Sequence, residues 1–253
     1  VNYAHIAELL TESLSLQQPP VALSFADSVP AGVNTFSGRV PAGCRFWQEA
    51  VTSVFATSAA HHDLCAIGVY THNLQPSEKQ QTDLVDALAV FKQLGYVRDE
   101  DVPAIPVLPS RSEYVIYSPL AQSPLPPDLV LLLVDAAQTL ILSEATSQVE
   151  NQNAPAMGRP ACAVVPQVIN TGRAALSLGC CGARAYLDVL QKGTALFAIP
   201  GAKLELYASQ VQSLAKANSV LAEFHQIRRR DVEAGHMPTM KESLIALGAA
   251  QPC

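Results

Sequence analysis

The sequence predicts an α/β fold, a mixed sheet flanked by helices, and three observations predict it. Helix-period segments alternate with short apolar, strand-like ones; Ser77 with Gln80 and Asp135 with Gln138 mark helix starts; and proline clusters separate the strand candidates. Hydrophobic residues make up 49% of the 253-residue chain and charged ones only 15%, against about 25% charged in ordinary soluble proteins. That balance fits a tightly packed globule and admits a homo-oligomer. The expected organisation is a single domain over 1–253, built of two intertwined halves at approximately 1–120 and 121–253.

Ile6, Leu9, Leu10 and Leu14 share one face of an opening helix, which Pro19-Pro20 must end before a strand at 21–25. Residues 27–43, rich in Pro, Gly, Ser and Asn, read as a long loop of the kind that tends to carry function. From 44 to 57 the residues Phe46, Trp47, Ala50, Val51, Val54 and Phe55 recur at helical spacing. Cys44 is then expected at a helix start, where the positive end of the dipole favours a thiolate. The segment 64–70, with Cys65, reads as a short strand or turn. Ser77 and Gln80 cap a helix whose face is Leu84, Leu88, Phe91 and Leu94 and whose stop is Gly95, and that helix reads as structural. Strands at 114–117 and 129–134, a helix at 136–149 and a polar loop at 150–155 follow. Cys162 then opens an apolar helical stretch to 169, and 174–178 reads as a strand, 182–190 as a helix, 195–199 as a strand and 202–229 as a long helix.

Of the six cysteines, Cys44 and Cys65 lie 21 positions apart and Cys162 and Cys180 lie 18 apart, each pair bracketing a helix-like stretch. The expectation is two pseudo-repeated halves, each a unit of loop, cysteine, helix and returning cysteine, converging on one site. Glycines flank both units, at Gly38, Gly43 and Gly68 and at Gly158, Gly179 and Gly182, and let backbone N–H groups approach sulfur. The tight cysteine pairs of structural zinc sites and the ferredoxin runs are both absent. Ligands scattered singly favour an iron-sulfur cluster, [4Fe-4S], with [2Fe-2S] or zinc as alternatives. Cys180 completes the pattern, with its neighbour Cys181 as the alternate ligand, since vicinal residues in a strand point to opposite faces. Cys253 is expected at the surface or disordered. The plainer readings are buried free thiols in a non-redox small-molecule-binding or zinc-stabilised protein, or a single catalytic thiol.

His61-His62-Asp63 and His72 flank Cys65 and admit a mixed His/Cys site; more simply, they are loop features, with His62 placed to bond sulfur or handle a proton. Arg45, Arg159 and Arg184 each lie within four residues of a candidate ligand. They suit the negative charge of a thiolate cluster or an anionic substrate, and surface ion pairs are the rival reading. The net charge of −6, with one dense basic run at 228–230, gives no footprint for nucleic acid. The greasiest stretch, 129–142, is interrupted by Asp135, so no membrane span is expected. Phosphate loops, nucleophile elbows and paired metalloprotease histidines do not occur. Cysteine use without a visible secretory signal points to a reducing, cytoplasmic setting.

Residues 16–23 (Leu-Gln-Gln-Pro-Pro-Val-Ala-Leu), with Cys44 and Cys65, open a wider resemblance. It is carried above all by Gly158-Arg159-Pro160-Ala161-Cys162-Ala163 and by the run from Ser177 through Cys180-Cys181 to Arg184. These segments resemble the ArCR-type proteins of the domain-of-unknown-function family numbered 169. The resemblance runs through most of the chain and implies a cysteine-bearing soluble protein of archaea and bacteria, with no settled activity. The Cys180-Cys181 doublet departs from it and leaves the fourth ligand open. The expected function is therefore an iron-sulfur protein. It would serve electron transfer with a redox partner or, with one iron open, a reaction on a small anionic or sulfur-containing substrate.

Overall fold

The computed structural model describes residues 1–246 and 248, so Cys253 lies outside the described residues. Its elements are α1 (Tyr3–Leu14), β1 (Val21–Ala26), β2 (Asn34–Thr35), α2 (Arg45–Glu49), β3 (Phe55–Thr57), α3 (Ala66–Thr71), α4 (Glu78–Gln93), β4 (Tyr114–Pro119), β5 (Leu129–Val134), α5 (Ala136–Glu150), β6 (Ala156–Met157), α6 (Val164–Thr171), β7 (Ala175–Ser177), β8 (Ala195–Pro200), α7 (Leu204–Glu233) and α8 (Met240–Ala246). The fold is α/β, a mixed eight-stranded sheet with flanking helices.

Local chemistry accounts for most of these boundaries. The side chain of Asn2 accepts the His5 N–H at 3.1 Å and starts α1, and Ser15 in the left-handed region ends it. Both anticipated capping boxes form, at Ser77/Gln80 and Asp135/Gln138. Three segments differ from expectation. The helix after Cys44 ends at Glu49, because Phe55 is drawn into β3, where its ring stacks on that of Tyr117 at 5.4 Å. The segment after Cys65 is helical, not a strand or bare turn, with Cys65 at the N-cap of α3. Residues after Cys181 form only a π-helical turn, Gly182–Tyr186, in place of a longer helix.

The strand order is β2-β3-β4-β1-β5-β8-β7-β6. Read inward from either edge, the orders β2-β3-β4-β1 and β6-β7-β8-β5 correspond, and each edge carries one parallel pair. Registers correspond as well: Val21 faces Pro119 in the first half as Leu129 faces Pro200 in the second. The halves meet in a short antiparallel ladder, Val21–Leu131, Ala22–Val130 and Leu23–Leu129.

Alternation along the central strands sorts their side chains between two cores. Ala22, Val130, Leu132, Phe197 and Ile199 pack under α1, α5 and the first half of α7. Val21, Leu23, Leu129, Leu131, Tyr117 and Leu196 face the opposite layer, where α2, α3, α6 and the loops bearing Cys44 and Cys162 lie. Buried on both faces, β5 reads as the unbroken apolar run LVLLLV.

The strand ends are fixed by close backbone contacts. The Gly201 N–H donates to Asp128 O at 2.9 Å, and a Cβ at Gly201 would sit 1.7 Å from Pro127 O. Gly201→Ala must therefore separate the β5 and β8 ends; the expected cost is about 3 kcal/mol, read as a lower midpoint in urea unfolding.

Candidate functional site

All four candidate ligands lie at helix or turn starts on the same side of the sheet. Cys44 precedes α2, Cys65 precedes α3, Cys162 sits in the 3-10 turn Ala161–Ala163 before α6, and Cys180 lies in the turn after β7. Cys44, Cys65 and Cys162 are buried, Cys180 is half-buried against the same core, Cys181 is exposed, and all five are free thiols. Cys44, Cys162 and Cys180 pack in or against one core, and Thr71, six residues after Cys65, reaches Cys162 Sγ at 3.4 Å, so segments more than a hundred positions apart in sequence meet on this face. Among the described residues, no three His, Cys, Asp or Glu side chains are grouped closely enough to hold a metal ion as they stand.

The polypeptide is moulded around these sulfurs. Thr71 Oγ1 donates to Cys162 Sγ at 3.4 Å, and Gly43 and Gly68 bring the backbone close to His62 and Cys65. Side chains at either glycine would intrude: a Cβ on Gly43 would come 2.7 Å from His62 Nδ1, and one on Gly68 3.0 Å from Cys65 Sγ. Gly179, at φ +85°, turns the chain from β7 toward Cys180, and a Cβ there would meet Leu190 at 2.7 Å. Burial is the largest influence on the thiols: it pushes Cys44 well above the ordinary thiol range and raises Cys65 and Cys162.

Polar groups without partners surround the same spot. Among the described residues, eight buried side-chain nitrogen or oxygen atoms lack a hydrogen-bond partner, and five of them belong here: both ring nitrogens of His62, both of His72, and the Tyr117 hydroxyl. Native interiors seldom leave such groups unsatisfied. The two imidazoles lie 6.1 Å apart, centroid to centroid, and His62 packs edge-on to Phe46. Burial lowers His62 to about 3, with His72 contributing, and His72 itself to about 4. The Tyr117 hydroxyl is raised, by burial first and then by Cys44, Cys65 and Cys162.

The three arginines part company in space. Arg45 pairs with Glu49 at 3.3 Å on the exposed side of α2. Arg184 spends its guanidinium on the carbonyls of Leu178, Leu190, Gln191 and Thr194, bracing the loops around β7 and β8. Arg184 also borders the larger of two hollows, whereas Arg159 stands at the one the cysteines border, stacked over the Tyr96 ring at 4.2 Å. That cavity, about 330 Å³, is lined by Cys65, Cys180 and Cys181 on one side and by Leu84, Leu88 and Phe91 of α4 on the other. A larger hollow of about 750 Å³, bordered by Asp135, Asp188 and Lys192, contains none of the cysteines.

The model of domain-of-unknown-function family 169, described as uncharacterised ArCR, matches residues 9–210. The chain belongs to that family. The match takes in all eight strands and Cys44, Cys65, Cys162 and Cys180, leaving the latter part of α7 and α8 outside. No curated protein and no solved structure matches the chain.

For this family 169 member, sequence reasoning reached the cysteines and His62 but passed over Thr71, Tyr96 and Tyr117. Tyr117 sits in an apolar strand and looks like core; Tyr96 follows a helix stop and looks like a loop residue. Only the fold brings them to the sulfurs. No helix among the described residues is long and apolar enough to cross a membrane.

The depressed histidines tie stability to pH. Between about 6.5 and 4 the unfolded chain binds protons that the folded imidazoles refuse, so stability is full above that window and falls as pH drops through it. Metal-free protein should lose on the order of several kcal/mol across the window. Urea midpoints measured from pH 7 to pH 4 should show a shallower decline for His62→Phe than for wild type; equal slopes would count against a neutral, buried His62.

Proposed function

We propose that the protein binds one iron-sulfur cluster, [4Fe-4S], through Cys44, Cys65, Cys162 and Cys180. The observation that carries this reading is the packing of Cys44, Cys162 and Cys180, from both halves of the sheet, in or against one core, with Thr71 of the helix that Cys65 caps reaching Cys162 Sγ. The correspondence of strand order supports treating the two cysteine units as equivalents: Cys44 and Cys162 each precede the inner strand of a parallel edge pair, and Cys65 and Cys180 each follow it. Cys180 is preferred to Cys181 because it packs against the core and lies in the field of Cys44.

A bound cluster supplies one-electron transfer or, with an open iron, Lewis acidity. The chain's own residues set its surroundings. Thr71 offers a hydrogen bond to Cys162 Sγ, Gly43 and Gly68 leave room beside His62 and Cys65, Phe46 and the sheet exclude water, and the neutral imidazoles of His62 and His72 can donate an N–H or pass a proton. Thiols held protonated by burial give up their protons on metal binding, which is then favoured by rising pH. The same reading places the protein in a reducing, cytoplasmic compartment, with a redox partner or small-molecule substrate and with self-association open to it.

Protein purified anaerobically should be coloured and contain iron and acid-labile sulfide. Cys44→Ser, Cys65→Ser, Cys162→Ser and Cys180→Ser should each lower cluster content at least several-fold, and Cys181→Ser should leave it near wild type. Iron-free, colourless protein after anaerobic reconstitution overturns the proposal, and zinc without sulfide would substitute a mononuclear site.

A further inference from the structure

We infer that the 330 Å³ cavity between α4 and the Cys65–Cys180 side of the site binds a small monocarboxylate with an apolar body, its carboxylate held by Arg159. This deepens the proposed function by naming its substrate class, and it rests on that reading only in setting the ligand beside a cluster.

The packing of α4 is the first reason. This 16-residue helix has one fully buried side chain, Gln80, which anchors it through Ala59 O at 2.9 Å and His62 O at 3.1 Å. Its inner residues Leu84, Leu88 and Phe91 are only half-buried, because they face the cavity instead of a packed neighbour. A helix that turns an apolar row to an empty hollow offers a ligand the burial that the fold itself forgoes.

Charge gives the second reason. Arg159 and Asp83 are the charged side chains lining the cavity. Asp83 is engaged by Lys79 at 2.9 Å. Asp101, whose field reaches Arg159, is bonded to Arg98 at 2.6 Å. Among the described residues, Arg159 has no carboxylate partner, and its guanidinium stacks over the Tyr96 ring at the cavity, where a planar guanidinium suits a carboxylate acceptor. A lone guanidinium with no second cation in the lining matches a monoanion better than a phosphate dianion. At roughly 30 Å³ per non-hydrogen atom, the volume suits a ligand of about ten such atoms, with the far end reaching toward Cys65 and Cys180.

Octanoate is the probe, with octylamine and octanol of similar length as controls, titrated calorimetrically into the full chain in metal-free and reconstituted forms. Octanoate should bind saturably and shield the exposed Cys181 from iodoacetamide; Arg159→Gln should weaken it at least tenfold. Ala87→Trp, which fills the cavity from α4, should abolish binding of octanoate and octanol together. Octylamine binding as well as octanoate, an unchanged affinity in Arg159→Gln, or no saturable binding to wild type would each overturn the inference. Iron and sulfide assayed on the same samples separate the two readings. Octanoate binding without iron sinks the cluster alone, and a full cluster without octanoate binding sinks the carboxylate site alone.

Discussion

The whole arrangement hangs on one short ladder, the antiparallel pairing of β1 with β5 over Val21–Leu23 and Leu129–Leu131. Among the described residues it is the only strand pairing between the two half-sheets, and it sets the loops bearing Cys44 and Cys65 on the same face as those bearing Cys162 and Cys180. Both faces of this ladder are covered, so its register is strongly set. A slip of one residue would turn Leu23 and Leu129 to the helical face and Ala22 and Val130 to the cysteine face, mismatching two cores at once.

On the cysteine face the fold tolerates what protein interiors ordinarily avoid. Three thiols, two imidazoles and a phenol hydroxyl are withdrawn from water beside Phe46 and Phe55, and several have no partner in the chain. Each such group opposes folding. The remainder of the sheet, with continuous apolar packing over α1, α5 and α7, supplies the stability that offsets them. The site is thus a local breach of the rules the rest of the molecule keeps, which is how functional centres usually distinguish themselves.

Much of the fold was legible in the chain, and the reasons are local. Capping boxes at Ser77 and Asp135 and the β5 run specify structure over a few residues, and these stood, whereas α1 ends at Ser15, ahead of the expected Pro19-Pro20 stop. Where expectation failed, distant partners decided. Phe55 has the spacing of a helix residue until Tyr117 gives it a stacking neighbour across β3 and β4. Ile67, Val69 and Thr71 read as β-formers, yet with Cys65 at the N-cap and the Gly68 N–H donating to Cys65 O at 3.0 Å they are helical. The three arginines that stand beside candidate ligands in the chain part company in the fold. Arg45 and Arg184 lie beside candidate ligands in the chain and turn their charges elsewhere, and nothing in their sequence context sets them apart from Arg159.

The inward reading of the sheet is the same from both edges, but its connections are not. Between β3 and β4 the chain runs through α3 and α4, whereas between β7 and β8 it makes only a π-helical turn and a loop braced by Arg184. Cys65 and Cys180 border the cavity that α4 roofs, and Cys44 and Cys162 do not. A sheet whose order reads alike from both edges has in this way acquired a direction, with its cysteine-lined cavity along the flank where the connections differ.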